Sequence, residues 1–291
     1  VRTKTLTDTT TQKKPYKTKG QTRTWTYTWT DGLLASVRQP RTDVTATTQY
    51  TYDPSGALVA TTNALGQTTA ITQHLPGGLP QTIVDPNGVT TTVAYDARLR
   101  LITSATTSSA FLTTYGYDAA GNLLGITLPD GATLTNGYDT AHRLTRVTNL
   151  FDEETAYTLD ALGNSTLTAI RDASDVVHKQ GAAVFDALGR ATQDVGGMGQ
   201  TRTYAYDNNG NALAVTDALG HTTLHAFDAF NRLRQVTQPP PIGGTIVTAY
   251  DAHDRPFSVT DPNGAVTTYV YNGFGDLIQQ TSPDSGITVY R

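Results

Sequence analysis

The chain has 291 residues, a net charge of −4 and only 16% charged residues, a composition unlike that of charge-driven disordered segments. It has no cysteine, which excludes disulfides, thiolate nucleophiles and cysteine metal sites, and no apolar run of the length a membrane-spanning helix needs. The 55 threonines, 26 glycines and 15 tyrosines point to strands and tight turns, because β-branched and aromatic side chains suit a pleated surface and glycine suits turns.

Residues 1–28 read as basic, Thr-rich leading strands. Arg2, Lys4, Lys13, Lys14, Lys17, Lys19 and Arg23 stand there against Asp8 alone. Basic side chains along a strand edge discourage edge pairing. Trp25, Tyr27 and Trp29 follow the lysines instead of interleaving with them, so no nucleic-acid partner is expected. In TRTWTYTWT, residues 22–30, threonine takes every even position and Arg23, Trp25, Tyr27 and Trp29 the odd ones. A strand sends these two sets to opposite faces, one aromatic and one of threonine.

Residues 29–291 read as tandem repeats of about 21 residues. A shortened unit opens at Trp29–Gly32. Tyr52-Asp53, Tyr95-Asp96, Tyr117-Asp118, Tyr138-Asp139, Phe185-Asp186, Tyr206-Asp207, Phe227-Asp228 and Tyr250-Asp251 then recur, and Tyr271 is followed by Asn272. Leu159-Asp160 keeps the place without the aromatic, and His74 marks a degenerate unit between Tyr52 and Tyr95. Gly56, Gly121, Gly189, Gly210 and Gly275 fall four residues after the aromatic. Each unit carries a second turn, as in Asn63-Ala-Leu-Gly66, Asp85-Pro-Asn-Gly88, Asp217-Ala-Leu-Gly220 and Asp261-Pro-Asn-Gly264. Asp opens a type I turn by accepting from backbone N–H groups two residues on, and Gly takes the left-handed place that follows. Two such turns per unit leave two strands of ordinary length, about 22 strands in all. The expected fold is all-β: a long ribbon of antiparallel hairpins, which exceeds what an open twisted sheet holds before curling into a spiral or hollow shell segment.

No motif for chemistry stands outside these turns. His221 and His225 share a strand face about 13 Å apart, too far to hold one ion. His74, His142, His178 and His253 have no paired ligands. The aspartates are explained by turn formation, and calcium-binding nonapeptides are absent. Ser282, Asp284 and Ser285 lack any nucleophile motif. Gly196–Gly199 reads as a degenerate turn, Gln238–Gly244 as a surface loop, and Glu153–Leu162 as a strand entering a turn. No catalytic residue, cofactor or metal is expected, so the protein does not read as an enzyme.

Tyr-Asp-x-x-Gly-Asn/Arg-Leu with a following Asp-x-x-Gly, at this period, resembles the YD repeat of the RHS family, and the stretch Trp29–Thr69 is similar to bacterial RHS proteins. The resemblance implies a β-sheet shell, of the kind also found in insecticidal toxin complexes and teneurins, that sequesters a C-terminal toxin. It also implies export from a bacterium, often by type VI secretion, in competition between cells. The implied partners are the chain's own C-terminal toxin domain, further RHS repeats, and a secretion spike or chaperone. Asp85-Pro-Asn-Gly-Val89 and Asp261-Pro-Asn-Gly-Ala265 match only the short turn of the family's self-cleaving segment, so no catalytic role passes to them. With Val1 first, the sequence reads as a segment of a shell; its strands would cover less than half of a 100-residue cargo. A cell-surface or glycan-binding module is the alternative, since exposed tyrosines could stack on sugar rings.

Overall fold

The structure is a computed structural model that describes residues 1–11, 13–41, 43–107 and 111–290. Twenty-six strands and no helix occur among the described residues, so the fold is all-β as the alternation and turn spacing require. The strands outnumber the expected 22, in part because Arg2–Thr7 and Gly286–Val289 flank the repeats.

The chain divides into two compact units. One comprises Val1–Thr7, Gly20–His142 and Val147–Phe151; the other comprises Asp8–Lys19, Arg143–Arg146 and Asp152–Arg291. In the first, Arg2–Thr7 pairs with Thr22–Thr30, and antiparallel hairpins then follow one another from Thr22 to Tyr138. In the second, the same succession runs from Glu154 to Val289.

Two kinds of turn join the strands. At Thr30–Leu33 the turn has two central residues, Asp31 at φ 50° and Gly32 at φ 80°, the left-handed pair that suits the twist of a hairpin. Elsewhere the aspartate turn dominates. At Asp53, the Gly56 N–H donates to the Asp53 carbonyl and the Asp53 N–H to the Ala57 carbonyl, closing a type I turn with a left-handed fourth residue. That place is glycine at Gly210 (φ 89°), but Leu99, His142, Asn231 and Asp254 adopt φ of 60–63° there. Beside each aromatic the register slips, as between Ala205 and Tyr206, where Ala205 faces Ala214 and Tyr206 faces Ala212. Such bulges strengthen local twist.

Neither unit builds a conventional core. Ala169 and Ile278 are the buried apolar side chains among the described residues. The chain leaves 18330 Å² accessible, where a compact protein of 31.1 kDa leaves about 12,000 Å². Most strand side chains in each unit are half-buried or exposed.

Pairing sorts the two faces. On one lie the aromatics: Tyr204 faces Val215, and Tyr269 faces Gln280. On the other, in the second unit, rows run Ala205–Ala214–Leu224–Thr237–Thr245 and Ala226–Gln235–Val247–Thr260–Val266. The parallel row Ala249–Ser258–Thr268–Thr281–Ile287 is likewise without charge. Leu224 is 50% exposed on this face and Val266 43%.

Candidate functional site

The recurrent aspartate is the organising group of each turn. Asp207 Oδ1 accepts from the backbone N–H of Asn209 at 2.9 Å and of Asn211 at 2.8 Å, while its Oδ2 accepts from the Asn211 side chain at 2.8 Å. The first carboxylate oxygen thus satisfies two N–H groups that the turn would otherwise leave to water. The second is free to hold whatever side chain stands four residues on. That residue is Asn at 122, 164 and 211, and Arg at 100, 190, 232 and 255.

Where it is arginine, the guanidinium reaches from one repeat to the next. Arg190 donates through Nε to Asp186 at 2.7 Å, lies 4.7 Å from the Tyr206 ring centroid and donates to the Asp207 carbonyl at 3.0 Å. The arrangement recurs for Arg100 between Asp96 and Tyr117, with the ring at 4.5 Å. It recurs again for Arg232 between Asp228 and Tyr250, at 4.7 Å, and for Arg255 between Asp251 and Tyr271, at 4.6 Å. A planar fork can satisfy a carboxylate and stack on a ring at once; an ammonium cannot. Asparagine spans the same interval by shorter bonds, Asn122 to His142 and Asn211 to Asn231.

The tyrosine hydroxyl makes the second stitch. It donates to a carbonyl at the start of the preceding repeat's return strand: Tyr52 to Leu34, Tyr95 to Pro80, Tyr117 to Leu101, Tyr138 to Leu123, Tyr206 to Ala191, Tyr250 to Leu233 and Tyr271 to Pro256, all between 2.7 and 3.1 Å. His74 stands in a tyrosine's place, and its Nε2 donates to the Leu58 carbonyl at 2.9 Å. Phe227 has no hydroxyl, and His225, two residues earlier on the same face, donates through Nδ1 to the Ala212 carbonyl at 3.0 Å. These tyrosines are half-buried, not a free aromatic row.

The charges respond accordingly. The side chains of Arg100, Asn122, Asn164, Asn211 and Arg232 hold Asp96, Asp118, Asp160, Asp207 and Asp228 below the ordinary carboxylate range. At Asp186 and Asp217 the leading cause is the backbone N–H of Arg190 and His221. Partial burial works against ionisation of Asp251, but the Arg255 guanidinium and the turn N–H groups outweigh it and bring the pKa down to about 2. Hydrogen bonding to a carboxylate favours its charged form.

The remaining candidates fall in strands, turns and loops. His221 pairs with Asp217 at 3.1 Å, and His178 with Asp172 at 2.7 Å. Gly196–Gly199 is a turn, and Gln238–Gly244 is a loop closed by Gln238 N–H to the Gly244 carbonyl. Glu154–Leu159 is a strand. Among the described residues no three His, Asp or Glu side chains converge as a metal site. Phe185-Asp186 and Tyr138-Asp139 lie in turns of the same kind, with Gly189 donating to the Asp186 carbonyl and His142 to that of Asp139. Gly121 and Gly275 close the Asp118 and Asn272 turns in the same way.

Compared with known families, the chain matches the RHS Repeat model over residues 102–133, 206–239 and 250–287. The chain carries RHS repeats. No curated protein matches it significantly. Among solved structures, the RHS chain is similar to the crystal structures of TcdB2-TccC3-Cdc42 and of TcdB2-TccC3, each at 13% identity and TM-score 0.59. It is also similar to the Photorhabdus luminescens Tc holotoxin pore carrying a TccC3 mutation, at 13% identity and TM-score 0.58. Each alignment covers 93% of this chain and 18% of the other. At that identity the likeness is one of fold, and the RHS chain spans under a fifth of those proteins' length.

Proposed function

We propose that these repeats are a non-enzymatic wall: part of an RHS shell that sequesters a toxic polypeptide carried beyond the repeats, in a protein exported from a bacterium. The observation that carries the reading is the set of uncharged, partly exposed rows on one face of the second unit. A sheet with one apolar face needs something to lie against it, and rows such as Ala205–Ala214–Leu224–Thr237 offer no charge to select one sequence over another. The stitched turns supply rigidity along the ribbon's margin. The neighbours of similar fold are components of toxin complexes, which favours a toxin-complex type of container; type VI delivery is the other route the family uses. Additional RHS repeats, and a secretion spike or a chaperone, are the partners this reading assigns to it.

Glycan adhesion through the turn tyrosines is less well supported, because their hydroxyls are committed to backbone carbonyls and four of their rings are faced by arginine. Limited proteolysis of the natural polypeptide, read by intact mass, tests the proposal. A fragment beyond the repeats that survives until denaturant is added supports enclosure. Immediate cleavage of everything beyond the repeats contradicts it.

A further inference from the structure

The last repeat departs from the others at Asn272, Gly273 and Asp276, the last standing where most other turns carry Asn or Arg. Its turn opens with Asn272 where the rest of the Tyr-Asp series has aspartate, and its second residue is Gly273. In six equivalent turns that second residue is alanine, at 97, 119, 161, 187, 229 and 252. Gly273 does not have the left-handed φ that would call for glycine. Its own turn has no need of it.

The reason lies more than 260 residues earlier in the chain. The Gly273 N–H donates to Asp8 Oδ2 at 3.0 Å, and a Cβ on residue 273 would collide with the Asp8 carboxylate. Asp8 is 1% exposed; its Oδ1 accepts from the Thr10 N–H at 2.8 Å and the Thr10 hydroxyl at 2.7 Å. Thr18 and Asn272 are buried with it. Asn272 reverses the usual pairing: aspartate there would set its carboxylate against that of Asp276, four residues on, where most other turns carry Asn or Arg, and a like-charged pair is unfavourable. Asparagine keeps the turn, donating to Asp276 and accepting from the N–H groups of Phe274 and Asp276, without that charge. Farther along, the Tyr16 hydroxyl donates to the Tyr290 carbonyl at 2.5 Å. Glycine at 273 thus serves Asp8.

We propose that the Asn272–Gly273 turn is a binding site for a side-chain carboxylate, filled by Asp8, so that the stretch holding Asp8, Thr10 and Thr18 latches onto the last repeat. The site is independent of the shell reading. Its ligand is the ionised carboxylate of an acidic peptide, and its donor is a backbone N–H made accessible by glycine.

The test is tryptic cleavage of the full chain after Lys17, followed by mass over time. Thr18 is buried in the latched state, so cleavage there reports opening. Asp8→Asn and Gly273→Ala should each speed it about tenfold or more. Ala252→Gly, the same position one turn earlier, should leave it unchanged. Gly273→Ala cleaved at the wild-type rate overturns the proposal. Should that variant lose its thermal transition, Asp8→Asn decides: the wild-type rate there overturns it equally.

Discussion

Arg190 and Tyr206 belong to successive repeats, and the guanidinium of the first stacks 4.7 Å from the ring of the second while pairing with its own repeat's Asp186. In a sheet without a conventional core, such contacts at the turns carry much of the work that packing does elsewhere. The pair's side chains are about a quarter exposed, so the ion pair alone contributes modestly; the combination with ring stacking and the Asp207 carbonyl raises its worth.

Arg190→Lys keeps the charge and loses the fork. It is expected to destabilise the second unit by about 1–2 kcal/mol, nearly as much as Arg190→Ala. Chemical denaturation measures it. If lysine restores wild-type stability, the stacking described here is incidental.

Tyr206→Phe removes one hydroxyl and leaves the Ala191 carbonyl without its partner, at a cost of about 1 kcal/mol. Phe227 already lacks a hydroxyl, and His225 supplies the missing donor. His225→Phe is therefore expected to cost about as much as Tyr206→Phe, although the two residues look unrelated in sequence.

The left-handed turn position separates glycine from its substitutes. Gly210→Ala is expected to destabilise by about 1 kcal/mol, and Leu99→Gly, at φ 63° and largely exposed, to stabilise by about 0.5–1 kcal/mol. Thermal midpoints of the two variants should move in opposite directions.

Acid should weaken the turns late. Asp251 titrates at about 2 in the folded chain and at about 3.9 when unfolded. A depressed folded pKa contributes stability in full above the unfolded value, and that stability is lost as pH falls through the folded one. The melting temperature should therefore decline between about pH 4 and pH 2, and Asp251→Asn should lessen the decline in a pH series.

The repeat was legible because its turns have local causes. Tyr-Asp-x-x-Gly states a turn in its own residues, and even His74 could be placed by spacing alone before its bond to Leu58 was seen. The stitches were not legible. Arg190 stands in the repeat pattern, but nothing local says that its far end rests on Tyr206. Leu99 hides a left-handed residue because hairpin register, not propensity, imposes the conformation, whereas His142, Asn231 and Asp254 are types that tolerate it. The Asp8–Gly273 contact left only a faint trace, a glycine where the repeat has alanine.

The measurement that bears most directly on the container reading is a cryo-electron microscopy map of the natural polypeptide in which these repeats occur. The account predicts a closed wall with Ala205, Leu224 and Val247 facing inward against enclosed polypeptide density. Repeats standing open, with that face in solvent, would contradict it.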